Sequence, residues 1–181
     1  MKYKILSCII TSFLLTAASA DDDVMYSRII NAVNDGNLKS AEVIASDFIK
    51  KYPDSRHIQD ARYLHAGLSQ SPDTAISEYR FILQKYPSFN KRAEVHNSLC
   101  EILSLASRWD DLRRQALAAI PESLSEDDTA RFRFYLIESL INTGRFNRAA
   151  GEADAVTEKS HDYEKLFHSL MIRGHVSYRT R

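Results

Sequence analysis

The chain has 181 residues, with 24 basic and 24 acidic side chains and six histidines; this length suits one domain. A balance this close to neutral gives no general attraction to nucleic acid or to anionic lipid. It turns the search away from nucleic-acid and membrane-surface binding and toward the pattern of the chain itself.

Residues 1–20 read as a secretory signal peptide. Lys2 and Lys4 make a basic start, and Ile5 to Leu15 is an apolar run broken only by Ser and Thr. Ala18-Ser19-Ala20 fits the small-x-small cleavage rule, with Asp21-Asp22-Asp23 next. The apolar run is too short for a transmembrane helix. Leu6-Ser7-Cys8 loosely resembles a lipoprotein box, but most of the apolar region follows Cys8 instead of preceding it. The processed chain is then residues 21–181, with 22 basic and 24 acidic groups and one cysteine, Cys100. A periplasmic location follows, with no stable membrane insertion after cleavage. A single cysteine cannot close an internal disulfide. Cys100, between Leu99 and Leu103 on an apolar helical face, reads as a small buried side chain.

The first helix is predicted over about 23–34, with Met25, Tyr26, Ile29, Ile30 and Val33 at helical spacing. Asp35-Gly36-Asn37 is the turn. A second helix over about 38–52 carries Leu38, Ala41, Ile44, Ala45, Phe48 and Ile49 on one stripe, and Pro53 ends it. Asp54 or Ser55 is expected to cap the next helix. That helix begins near Arg56, carries Ala61, Leu64, Ala66 and Leu68, and is about three residues shorter than its counterparts. Ser71-Pro72-Asp73 reads as an N-cap, a proline at the first helical position and an acid in the first turn. Ala75, Ile76, Tyr79, Ile82 and Leu83 follow, and Pro87 closes the hairpin.

The third hairpin pairs a helix over about 90–105, with Val95, Leu99, Cys100 and Leu103 inward, with a helix opened by Trp109 and closed by Pro121. Ala116, Leu117, Ala119 and Ile120 continue that second helix. The fourth hairpin starts at the acidic Ser125-Glu126-Asp127-Asp128, carries Phe132, Leu136, Ile137, Leu140 and Ile141, and turns at Thr143-Gly144-Arg145-Phe146. Ala149, Ala150, Ala153 and Val156 line its second helix. A last helix over about 160–178 has Tyr163, Leu166, Phe167, Leu170 and Met171 on one stripe. It reads as a cap over the open end of a stack.

Two periods run through these elements. Ala41 returns as Ala75 and Lys51-Tyr52-Pro53 as Lys85-Tyr86-Pro87, each 34 residues on. Trp109 returns as Phe146 and Leu112 as Ala149, each 37 residues on, with Arg108 and Arg145 ahead of the aromatics. A period near 34 with small residues inside helical patterns and a closing proline is the signature of helical-hairpin repeats. The residues Asp35-Gly36-Asn37, Ala41, Phe48, Lys51-Tyr52-Pro53-Asp54-Ser55 and Lys85-Tyr86-Pro87 resemble tetratricopeptide repeats. More narrowly, they resemble those of bacterial envelope proteins of the Tol-Pal division and β-barrel assembly systems. The resemblance covers residues 22–178 and implies an all-α fold: an α–α superhelix of about four hairpins plus the capping helix. It also implies a non-catalytic scaffold that binds a protein or peptide partner in a concave groove, without a cofactor or metal.

In such stacks the first helix of each hairpin lines the groove. By family position the groove residues are Tyr26, Ile30, Tyr63, Asn97, Glu101, Phe134 and Glu138, with Asp60 and Arg131 near helix ends. Tyrosine and phenylalanine suit peptide anchoring, though each aromatic here could equally pack between repeats. No pattern for catalysis competes with this reading. His161, His168 and His175 are seven apart, about 10.5 Å of helix rise, too far to share a metal with bonds of about 2 Å; His57 and His65, eight apart, fail likewise. The acidic runs begin helices, where they suit the macrodipole. With five glycines, there is no phosphate loop and no nucleophile elbow. The expectation is an envelope scaffold for assembly, division or maintenance. The alternative is a cell-wall-acting enzyme, or an accessory domain of one.

Overall fold

The structure, a computed structural model, describes residues 21–159, with side chains to residue 156. The signal-peptide stretch 1–20, the capping helix at 160–178 and His161, His168 and His175 lie outside the described residues. Every regular element among the described residues is helical. Their order is α1 (residues 21–34), α2 (Leu38–Lys51), α3 (Ile58–Leu68), α4 (Pro72–Lys85), α5 (Arg92–Leu105), α6 (Trp109–Ala119), a 3-10 turn (Ile120–Glu122), α7 (Glu126–Asn142) and α8 (Phe146–Lys159). The chain divides into two compact units, Met1–Tyr86 and Pro87–Arg181.

In the first unit, helices form successive hairpins, and α3 packs on both α2 and α4. Helix α3 has 11 residues where α2 and α4 have 14, the shortness expected from the sequence. The Lys-Tyr-Pro segments end α2 and α4 in the same way. Tyr52 N–H donates to the Phe48 carbonyl at 2.8 Å and Tyr86 N–H to the Ile82 carbonyl at 2.9 Å. Both tyrosines leave the helical region, at φ −129° and −123°, because a following proline crowds out the α conformation.

The core of this unit gathers Ile29, Ala45, Phe48, Ile58 and Ala61, with Met25, Tyr26 and Leu64 packed against it. Buried positions repeat more faithfully than residue types do. Ala41, Ala45 and Phe48 are all buried, and so are Ala75, Tyr79 and Ile82, each 34 residues on. Tyr79 replaces a small residue by a large one, and α3 makes the room. A methyl at Gly67 would lie 3.3 Å from the Tyr79 hydroxyl, tighter than an ordinary contact.

Two sequence expectations are corrected here. Neither Asp54 nor Ser55 caps α3; the N-cap is His57, without a side-chain cap bond. Ser55 Oγ instead accepts from the His57 N–H at 3.1 Å, stabilising the turn one step earlier. Leu38 lies on the exposed side of α2 despite its place in the apolar stripe. The first turn of that helix runs past the end of the core. Leu117 of α6 is likewise exposed, while its neighbours Ala116 and Ala119 are buried.

In the second unit α6 packs against α5 and α7, α7 against α8, and α5 also touches α7. The 37-residue period extends through the core. Val95, Leu99, Cys100 and Leu103 of α5 are buried, and so are Phe132, Leu136, Ile137 and Leu140 of α7. Leu112, Ala116 and Ala119 of α6 are matched by Ala149, Ala153 and Val156 of α8, all buried. Burial alone pushes the Cys100 thiol up to about 12, so it stays a neutral core side chain.

Turns repeat as well. After α1, α5 and α7, a backbone N–H reaches back to a carbonyl five residues earlier: Asn37 to Ala32 at 2.9 Å, Arg108 to Leu103 at 2.9 Å and Arg145 to Leu140 at 2.8 Å. This bond closes the helix end by bending one residue into the left-handed region. Gly36 and Gly144 occupy it at φ 72°, and Ser107 occupies it at φ 55°. The serine bears a Cβ that glycine avoids. Two helix starts follow expectation: Ser71 and Ser125 hydroxyls accept from the N–H groups of Thr74 and Asp128 at 3.3 and 3.0 Å.

Candidate functional site

The groove positions fall into two sets, one in each unit. In the first unit Tyr26 and Ile30 lie on α1, and Asp60 and Tyr63 on α3; all four are half-buried. Tyr26 leans on the buried Phe48 at 6.0 Å between ring centroids. Its other contact is the His57 ring, stacked at 4.2 Å and nearly parallel. Asp23 sits one turn before Tyr26 and draws a guanidinium and an imidazole onto this spot. Its carboxylate accepts from His57 Nε2 at 2.8 Å and from the Arg56 guanidinium at 2.8–3.2 Å. The His57 hydrogen bond, and then Arg56, hold the Asp23 carboxyl below its ordinary range against the opposing pull of partial burial.

Tyr63 approaches Tyr79 at 6.1 Å. Its neighbour on α3, Arg62, crosses to α4. There it pairs with Glu78 at 2.6 Å and lies over the Phe81 ring at 4.2 Å. The groove positions of this unit are therefore tied to its interior and to its own cations.

In the second unit α5 and α7 bring Asn97, Glu101, Arg131 and Glu138 around a residue the groove prediction left out, Tyr135. Its hydroxyl points at Asn97 Oδ1 from 3.5 Å, the outer limit of a hydrogen bond. Ser104 Oγ donates to Glu138 Oε1 at 2.8 Å. Burial first, then the negative charge of Glu101 and more weakly of Glu138, push the Tyr135 phenol up to about 12, with Arg131 opposing. At any ordinary pH this phenol is a neutral donor. Arg131 is exposed and pairs with Asp128 at 3.7 Å. Phe134 is half-buried beside Tyr135. The period explains part of the arrangement: Glu101 and Glu138 are 37 residues apart and occupy the same repeat position. Tyr135 was legible too. Arg131, Tyr135 and Glu138 share one helix face by their offsets of four and three.

A polar cluster stands behind this face. His96, 3% exposed, lies between Gln115 and Glu122. Its Nδ1 is 2.6 Å from Gln115 Nε2, and its Nε2 is 3.2 Å from Glu122 Oε2. The amide donates to Nδ1, so the neutral ring carries its proton on Nε2 and donates it to the carboxylate. Arg92 holds the same carboxylate at 2.7 and 2.9 Å, and the Phe132 ring meets His96 edge-on at 6.1 Å. Burial keeps the imidazole below its ordinary pKa, with Glu122 opposing. Burial also works to raise Glu122, but Arg92 and His96 together hold it below the usual carboxylate range. The 3-10 turn Ile120–Glu122, which contains Pro121 and follows α6, places this exposed carboxylate beside His96.

Among the described residues no group of three His, Cys, Asp or Glu side chains is placed to hold a metal ion. No helix among them is long and apolar enough to cross a membrane. No protein-family model matches the chain, and a comparison with curated proteins finds no match.

Proposed function

We propose that the chain is an exported, non-catalytic scaffold of the tetratricopeptide type that holds a protein or peptide segment in the bacterial cell envelope. One observation carries this reading. On the α5–α7 face, hydrogen-bonding groups converge without saturating one another. The Tyr135 hydroxyl has only its long contact to Asn97, the Asn97 amide donates to no group among the described residues, and Glu101 accepts from none. A helix face that is half-buried yet leaves donors and acceptors open suits an extended segment, whose backbone needs both. The buried helix–helix contacts are filled with apolar side chains and small residues, which suits a rigid support for such a face. The basic start, apolar run and Ala18-Ser19-Ala20 support export.

The test is affinity capture from envelope extracts with the processed chain, run beside a Glu101→Lys, Tyr135→Ala double variant of unchanged circular dichroism. A partner held by the parent chain and lost by the variant supports the scaffold. An equal yield from both removes the face from function. Turnover of peptidoglycan fragments by the pure protein would instead favour the enzymatic alternative.

A further inference from the structure

The scaffold reading leaves the chemistry of the partner open, and the two units together narrow it. In the first unit an aromatic ring and a carboxylate on the first-helix face, Tyr26 and Asp23, are occupied by an imidazole and a guanidinium of the same chain. The His57 ring stacks on the tyrosine at 4.2 Å, and Arg56 and His57 both bind the carboxylate. In the second unit the corresponding face offers a tyrosine and two carboxylates, Tyr135, Glu101 and Glu138, and neither carboxylate makes an ion pair among the described residues. Glu138 is half-buried and bonded only to the Ser104 hydroxyl. Glu101 makes no ion pair among the described residues.

Glu101 is exposed, and three other half-buried carboxylates of this unit differ from Glu138: Asp111 pairs with Arg108, Glu152 with Arg133 and Asp128 with Arg131. Arg131 is the cation nearest in sequence on this face, but it lies two helical turns from Glu138, about 10.5 Å along the axis. Its own pairing is with Asp128. A carboxylate withdrawn from water without a cation is unfavourable, and an incoming cation reverses that cost.

We propose that the α5–α7 face receives a lysine or arginine side chain of the partner segment, with Glu101 and Glu138 as counter-charges and the Tyr135 ring as its floor. Asn97, beside the ring, is placed to bond the backbone next to that side chain. The proposal rests on the scaffold reading and gives its partner a charge class.

The test is a nuclear magnetic resonance titration of the full chain with two blocked seven-residue peptides, alike except that one carries two lysines and the other two glutamates. The lysine peptide is expected to shift amide signals of residues 97–104 and 131–138, and the glutamate peptide is not. Glu101→Gln should weaken the lysine peptide by about 2- to 5-fold. Tyr135→Leu should weaken it by a similar factor, while Tyr135→Phe, which keeps the ring face, leaves it nearly unchanged. Raising salt to about 0.5 M should weaken it further. The proposal is overturned if the glutamate peptide shifts these residues as strongly, if the lysine peptide shifts others or none, or if Glu101→Gln has no effect. In each of those cases the scaffold reading still stands wherever envelope capture yields a partner that depends on this face. It falls separately when capture yields none.

Discussion

The α1–α3 face and the α5–α7 face begin from the same materials, a tyrosine beside carboxylates on the first helices of hairpins. They end in different states. Around Tyr26 the chain supplies its own imidazole and guanidinium: His57 stacks on the ring, and Arg56 closes on Asp23. Around Tyr135, Arg131 pairs with Asp128, Glu101 and Glu138 make no ion pair among the described residues, and the hydrogen bond to the phenol stretches to 3.5 Å. The difference shows that a position assigned to a groove from its place in the sequence repeat has no fixed role. Whether it is structure or site depends on what the next hairpin puts opposite it, and here the turn before α3 decides. Arg56 and His57 occupy that turn, and His57 takes the cap position left unfilled by Asp54 and Ser55.

The comparison can be broken hardest at its floor. Phe48 is wholly buried and supports the Tyr26 ring at 6.0 Å. Phe48→Ala should cost about 3–5 kcal/mol and raise hydrogen exchange across α1 to α3. If the denaturation midpoint is unmoved, Tyr26 is held by His57 and Asp23 alone, and the interior anchoring of that face is wrong.

A smaller effect separates the turns behind the two faces. Gly36 and Gly144 have open space where a Cβ would go, so alanine there meets only the backbone penalty of positive φ, about 1 kcal/mol. Ser107 already bears that penalty, and Ser107→Gly should gain about 0.5–1 kcal/mol. Urea midpoints of the three variants check the signs, which must be opposite for Ser107 and the two glycines.

Acid should distinguish the two polar clusters. The His96 imidazole, faced by Gln115, Glu122, Arg92 and Phe132, is held below its ordinary pKa of 6.5 by burial. As pH drops, the unfolded chain takes up this proton before the folded chain does. The contribution of His96 to stability is therefore complete above about pH 6.5 and is lost as pH falls toward the folded value. Asp23 and Glu122 are held below their ordinary values of 3.8 and 4.5, so what they contribute persists until the medium is more acidic than that. The urea midpoint should drop between about pH 7.5 and about pH 5.5, and His96→Gln should flatten that drop. A slope unchanged in the variant places the titration elsewhere.

The smallest effect sharpens the comparison most. Replacing Arg56 and His57 by glutamine removes the built-in guanidinium and imidazole from Asp23 and Tyr26 with little change in stability, because the Arg56–Asp23 ion pair is solvent-exposed. The α1–α3 face should then acquire a weak response to the lysine peptide, seen as amide shifts at residues 23–30. No response in this variant would mean that the two faces differ by more than these two side chains.

Much of this was readable along the chain. Helical periodicity, the prolines after Tyr52, Tyr86 and Ile120, and the serine caps at Ser71 and Ser125 are local signals. Each acts within a turn or two of helix and survives in the folded state. Repeat spacing extended that reach, because a position buried in one hairpin is buried again 34 or 37 residues on, as at Phe48 and Ile82 or Leu99 and Leu136. Pattern failed where an apolar residue of the predicted stripe is exposed, at Leu38. It failed again where a cap was taken by His57.

By itself the sequence determined the helices, their order, the hairpin turns and the buried stripe of each, because those follow from backbone geometry and the cost of exposing apolar surface. Only the tertiary structure decided which groove residues are already engaged. Asp23 meets Arg56 33 residues away, Ser104 meets Glu138 34 residues away, and Tyr135 faces Asn97 38 residues away. No local period encodes those meetings. They depend on where packed helices bring polar groups within a few ångströms, and that sets one tyrosine beside an imidazole and a guanidinium and leaves the other beside carboxylates that make no ion pair among the described residues.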